Sequence, residues 1–234
     1  MAEEGGPQRG ITLERGLVGG NKTVHNMNPA RLIEKIIRER IFDSLYYKEQ
    51  CFGLSAATIC DRAAELTYVG GQYGQQRPTP FLCLAFKMIQ LQPEREIVEE
   101  YLAAEDFKYL RALAAFYIRL TYPAVEVYKL LEPLLADYHK LRIRNMNGFR
   151  LTYMDEFIDS LLNEERACDI ALPRLPKRTV LEDLEELDPR ESALGSELDD
   201  SDDEDDEGAK SDEEKGDKEK SDEENSEYGN GKSE

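Results

Sequence analysis

The chain has 234 residues, with 49 acidic against 30 basic side chains and a formal net charge of −19. Residues 197–234 carry 19 Asp and Glu against 5 Lys, whereas residues 28–181 hold 21 acidic and 21 basic residues. The acidity therefore belongs to the C-terminal segment, and a charge-neutral body of this kind argues against strong binding to nucleic acid.

Composition divides the chain into four parts. Residues 1–27 are polar and glycine-rich and are expected to be a flexible arm. Residues 28–181 are long enough for one domain with a core of its own. Residues 182–196 read as a charged helix or linker. Residues 197–234 have almost no apolar side chains to offset their ordering entropy, so the expectation is an acidic, disordered tail. The longest apolar run, FLCLAFKMIQL, is too short to span a bilayer and contains Lys87. MAEEGGPQRG lacks the basic-then-apolar pattern of a secretory leader. Cys51, Cys60, Cys83 and Cys168 are scattered without a C-x-x-C, the pattern of reduced, buried thiols. With only His25 and His139, no ordinary metal-binding spacing is present.

In chain order, Asn28 reads as an N-cap and Pro29 as a first helical residue. Leu32, Ile33, Ile36, Ile37 and Ile41 follow at helical spacing. YYKEQCF continues as a short helical piece up to Gly53. Ser55 caps SAATICDRAAEL. Thr79-Pro80 opens FLCLAFKMIQL, which is apolar on most sides and so belongs in the middle of a core. Pro93 starts EREIVEEYLAA, Asp106 caps FKYLRALAAFYIRL, and Pro123 and Pro133 start two helices or one kinked helix. In LRIRNMNGFRLTY the apolar residues alternate around Asn147-Gly148, which signals a hairpin, with a loop as the equal alternative. MDEFIDSLLNEE resumes a helix, ALPRLPKR is extended, and RTVLEDLEELDPR is a last helix. The fold class is all-α: a single multi-helix domain, with or without that one small hairpin.

YVGGQYGQQRPTP has the glycine content of a phosphate-binding loop but not its chemistry. A Walker loop needs Lys-Ser or Lys-Thr at the helix start, and here Gly70, Gly71 and Gly74 lead to Arg77-Pro78-Thr79-Pro80. A dinucleotide loop needs a preceding strand and G-x-G-x-x-G, and two prolines remove backbone donors. The better reading is a helix stop, with Gly70 or Gly71 left-handed, then a turn into the next helix. Arg77, near a helix N-terminus, remains a candidate for anion or partner contact. No nucleophile constellation and no catalytic residue is identified, so no enzymatic activity, cofactor or small-molecule substrate is expected.

Two features favour binding. Lys140, Arg142, Arg144 and Arg150 cluster on the hairpin segment, where they can meet phosphate oxygens or form a solvated basic edge. Tyrosines are frequent, and two further candidate partner surfaces are Tyr46 with Tyr47, and the turn that holds Gly70, Gly71, Tyr73 and Arg77. In the tail, Ser201, Ser211 and Ser221 each precede acidic residues, the context of an acidophilic kinase site, and phosphorylation would add negative charge there.

The run NPARLIEKIIRERI, then YYKEQCFGLSA, then ELTYVGGQYGQQRPTPFLCLAFKMIQLQPE resembles the pre-mRNA-splicing factor 38 family. EDFKYLRALAAFYIRLT, NGFRLTYMDEFIDSLL and ERACDIALPRLPKR continue the likeness in the same order, from Asn28 to about Arg190. The resemblance implies a nuclear, non-enzymatic component of the tri-snRNP or precatalytic spliceosome. It would act as a helical scaffold when the complex is activated. The implied partners are a microfibrillar-associated-protein-like factor that docks a helical segment and a small zinc-finger splicing factor. Some members carry a long Arg/Ser-rich extension, which is not found in this sequence, so functions tied to it are not carried over. The alternative is a direct RNA-binding protein that uses the basic 140–150 hairpin.

Overall fold

The structure, a computed structural model, describes residues 23–190. The expected flexible arm as far as residue 22, the expected acidic tail and its three serines lie outside the described residues, while residues 23–27 of that expected arm form a turn closed by a Val24–Met27 bridge. Contacts divide the chain at Asp188–Pro189, and every described helix and strand lies in the first unit.

The first turn departs from the expected helix. Asn28 does cap, its side chain accepting from the Ala30 N–H, but Pro29–Leu32 is a single 3₁₀ turn. Ile33 is extended, and α1 begins only at Lys35 and ends at Asp43. The break turns Ile33 and Ile37 inward and leaves Ile36 in solvent. Tyr47–Cys51 forms a π-helical turn. Ser55 does not cap a helix; it closes a turn with the Thr58 hydroxyl, and α2 spans only Ile59–Ala64. Three short strands come next: β1 (Val69–Gly70), β2 (Gln72–Tyr73) and β3 (Arg77–Pro78), the last two paired antiparallel.

The core is built on α3 (Pro80–Leu91) and α5 (Lys108–Thr121). Thr79 caps α3 as expected: its hydroxyl oxygen accepts from the Leu82 N–H at 3.2 Å and its O–H donates to the Gly70 carbonyl at 2.5 Å. Left-handed Gln92 ends α3 just before Pro93. Phe81 of α3 lies 5.7 Å from Phe116 of α5 and 6.4 Å from Phe157 of α7 (Met154–Asn163), so three helices meet at one aromatic contact. Between them run α4 (Arg95–Ala103) and α6 (Ala124–Leu131), the latter passing into a 3₁₀ turn, Glu132–Ala136, at Pro133. Asp106 does not cap α5; Phe107 occupies that position without a side-chain cap.

Every residue of α5 from Leu110 to Leu120 is buried, including two arginines. Arg111 Nε donates to the Leu102 carbonyl in the last turn of α4, and Arg119 Nε donates to the Leu161 carbonyl in the last turn of α7. The last carbonyls of a helix have no partner within it and sit at the negative end of its dipole. A buried guanidinium placed there satisfies both demands. Arg111 is further paired with Asp137 at 2.6 Å.

The fold is mostly helical, but all-α is not exact. The hairpin is present: β4 (Lys140–Asn145) pairs antiparallel with β5 (Gly148–Tyr153) around Met146-Asn147. β1 adds to it in parallel, Val69 opposite Ile143 and Gly70 opposite Arg144, making a sheet of order β1-β4-β5. Gly70 is therefore a strand residue and not the helix stop expected from its neighbours; α2 has already ended at Ala64. A side-chain-less residue is required there, because its φ is 149° and a Cβ would strike the Arg144 carbonyl. A last small hairpin, β6 (Arg166–Ala167) and β7 (Ile170–Ala171), turns through left-handed Cys168 and Asp169. The expected last helix shrinks to α8 (Arg178–Asp183). Leu181 and Leu187 nevertheless pack on Tyr128, so the folded unit reaches beyond residue 181.

Candidate functional site

Two of the three surfaces named from the sequence converge. Because β1 pairs with β4, and β2 packs on β4, the glycine-rich loop is built against the basic hairpin. The loop is held from behind by β6–β7: the Asp169 carboxylate accepts from the Gln72 N–H at 2.7 Å, and Gly71 lies directly against the Cys168 carbonyl. Arg40 of α1 fixes the Gln72 side chain at 2.6 Å. Gly70 and Gly71 are buried, Tyr73 is half-buried and Arg77 is exposed. The two glycines thus supply backbone shape, and Tyr73 and Arg77 supply surface.

Strand alternation splits the four basic hairpin residues. Lys140, Arg142 and Arg144 project from one face of β4. Arg150 stands opposite Ile143 in the register and therefore projects from the other face. There it lines a cleft of about 720 Å³ between β5, α7 and the β6–β7 turn.

The face bearing Arg142 and Arg144 is an ordered array of planar groups. Both guanidinium carbons lie 4.4 Å from the centroid of the Phe149 ring. Arg144 also lies 5.2 Å from the Tyr73 ring, and Tyr68 meets Phe149 edge-on at 5.4 Å. Phe149 is 50 % and Leu151 54 % exposed on the same face. The array continues past Lys140, where the Lys108 ammonium donates to the Lys140 carbonyl and lies over Tyr109. Phe149 and Lys108 were not selected from the sequence. Phe149 could have been, since it follows the turn signal on the face of Arg142 and Arg144, although the loop closes at Met146-Asn147 and so sets it opposite Arg144; Lys108 could not, because its place depends on how α5 packs.

The third surface differs from expectation. Tyr47 is only 5 % exposed; it packs on Phe42 and Phe86 and its O–H donates to the Gln90 side chain at 2.5 Å. Burial and the neighbouring Cys51 push its phenol up to about 12, so it is a neutral core group. Burial also raises Tyr46, which is half-buried. The apolar surface of this segment comes instead from Leu45 and Phe52, 68 % and 79 % exposed.

Among the described residues, no group of three His, Cys, Asp or Glu side chains is arranged to hold a metal, and no helix is long and apolar enough to cross a membrane. Burial pushes the thiols of Cys51 and Cys83 up to about 12, away from nucleophilic reactivity.

Residues 22–185 match the model of the PRP38 family, including every strand and helix just described. The chain belongs to the PRP38 family. It is 58 % identical over 180 residues to pre-mRNA-splicing factor 38A of Xenopus tropicalis, covering 76 % of this chain but 58 % of the frog protein. It is 57 % identical over 180 residues to pre-mRNA-splicing factor 38 of Schizosaccharomyces pombe, covering 77 % of this chain and 86 % of the yeast protein. A solved chain from the crystal structure of the Snu23-Prp38-MFAP1(217-258) complex of Chaetomium thermophilum superposes with a TM-score of 0.74 at 54 % identity, covering 79 % of this chain and 97 % of that one. PRP38 membership confirms the resemblance read from the long collinear segments.

Proposed function

We propose that this PRP38-family chain is a non-enzymatic spliceosome component that works in the nucleus as a scaffold for other splicing proteins while the precatalytic complex is activated. One observation carries the reading: the likeness, over nearly all of the neighbour's length, to a chain solved together with Snu23 and MFAP1. Two partners of those kinds, an MFAP1-like helical segment and a Snu23-like protein, are the ones this chain would hold, within the tri-snRNP or the complex that forms from it. The scaffold is suited to this work because its helices are locked together, so bound segments are positioned and not merely tethered.

A partner helix lays an apolar face into a groove or onto exposed apolar side chains. Leu45 and Phe52, flanking half-buried Tyr46, are the residues on which such a face would rest, and Tyr73 and Arg77 offer a second, more polar contact. Central apolar anchors of an interface contribute about 2 kcal/mol or more each, about 30-fold in Kd. Leu45→Asp with Phe52→Asp should therefore abolish capture of an MFAP1-like segment by the full chain in a titration calorimeter. The reading fails if the wild-type chain binds neither an MFAP1-like segment nor a Snu23-like protein. Wild-type binding that the double variant leaves unchanged would refute only the placement at Leu45 and Phe52.

A further inference from the structure

We propose that the outer face of the β4–β5 hairpin is a binding site for single-stranded RNA, with Arg142, Phe149, Arg144 and Tyr73 stacking bases and Lys140 and Lys108 taking phosphates. This goes beyond the scaffold role and does not depend on it.

Charge is the first argument. The domain is neutral as a whole, yet Arg142, Arg144 and Lys140 form no ion pair with an acidic side chain among the described residues. Lys108 is spent on a backbone carbonyl at 2.7 Å and keeps its charge on the same stripe. Cations that are structural in this fold look different: Arg111, Arg119 and Arg178 are buried or half-buried, and each is bonded to carboxylates or helix-end carbonyls.

Planarity is the second. Two guanidiniums over one phenyl ring are pre-positioned by cation–π attraction, and Tyr73 and Tyr68 extend the set. Single-stranded bases stack on aromatic rings and on guanidinium planes, while the backbone follows a basic groove. An acidic peptide would use the charges but has no use for the planar faces or for half-exposed Phe149 and Leu151. A nucleotide uses both. The site stands on a sheet whose third strand, β1, fixes Gly70 against Arg144, so the array does not have to be assembled on binding.

The test uses the full chain and a fluorescein-labelled 12-mer oligouridylate, read by anisotropy. Binding is expected in the micromolar range at low salt, weakening with salt with a log–log slope of about −1.4, as two phosphate contacts to a single strand imply. Arg142→Lys with Arg144→Lys keeps the charge and removes the planes; it should weaken binding about fivefold or more with an unchanged salt slope. Lys140→Gln, at an exposed position, should instead make the slope shallower by about 0.7. The proposal is overturned if the RNA does not bind at low salt, or if the double lysine variant, melting as the wild type does, binds as tightly as the parent. It is also overturned if a 12-residue polyglutamate displaces the RNA at equal concentration, which would mark a site for acidic protein segments.

Discussion

Replacing Gly71 by alanine is the most direct test of how the loop is built. A Cβ there would overlap the Cys168 carbonyl and the Asp169 carboxylate, closer than real Cβ atoms come to either. Restoring an ordinary contact distance moves the β6–β7 turn by roughly 1 Å. That turn cannot yield freely, since Arg166 ties it to the Asp169 carbonyl at 2.6 Å and to Glu34 of the segment before α1 at 3.1 Å. Overpacking costs about 1–3 kcal/mol. Displacing Asp169 also breaks its bond to the Gln72 N–H, worth about 1 kcal/mol at this exposed position. The total of about 3 kcal/mol corresponds to a melting temperature lower by roughly 6–12 °C for a domain of this size. Gly53→Ala is the internal control: nothing lies within 4 Å of its Cβ position, so alanine there should be neutral or stabilising by up to about 1 kcal/mol. Thermal unfolding followed by circular dichroism, with urea titration beside it, reads both. A Gly71→Ala protein that melts with Gly53→Ala would refute the close approach of the loop to the turn.

Two further outcomes are expected from the same packing. Thr79→Val keeps the shape but removes both the α3 cap and the donor to the buried Gly70 carbonyl; it should cost about 2–3 kcal/mol in urea unfolding, and Thr79→Ser much less. For Asp137, burial opposes ionisation, but the His139 N–H, the His139 ring and Arg111 outweigh it and hold the carboxyl below its ordinary 3.8. A depressed folded value means that stabilisation is complete above the unfolded value and is lost as pH falls through the folded one. Between pH 5 and pH 2 the urea midpoint of wild type should therefore fall more steeply than that of Asp137→Asn; parallel curves would remove Asp137 from the acid-sensitive set.

What could be read from the chain and what could not divide along physical lines. Thr79-Pro80 and the apolar run after it are local signals, and α3 stands where they place it. Asn147-Gly148 is equally local and marks the hairpin, but the loop closes at Met146-Asn147 with Gly148 opposite Asn145, so Arg150 faces Ile143 and not Asn145; either register sets Arg150 on the face away from Arg142 and Arg144, so the splitting of the basic cluster is legible in the spacing. Gly70 was not. Its strand is two residues long, and its partner Arg144 lies far along the chain, so the sequence nearby holds only the pattern of a turn. Tyr47 and Phe52 stand a few residues apart with similar surroundings in sequence, yet one is core and the other is surface, because the π-helical turn rotates them apart in a way no 3.6-residue period describes. The buried arginines of α5 likewise answer helix ends that come together only in the folded domain.

The central position of α3 has a consequence for how the protein is made. Its apolar surface is covered by α5 and α7, and α7 ends at Asn163, about 70 residues after α3 leaves the ribosome. At about 5–20 residues per second, a nascent chain carries FLCLAFKMIQL partly bare for several seconds before Phe157 arrives to close over Phe81. That interval is long against helix formation and collapse, so the segment must be shielded by chaperones or by its own earlier helices during synthesis. Codon changes that slow elongation between residues 92 and 157 should lower soluble yield without altering the stability of the finished protein.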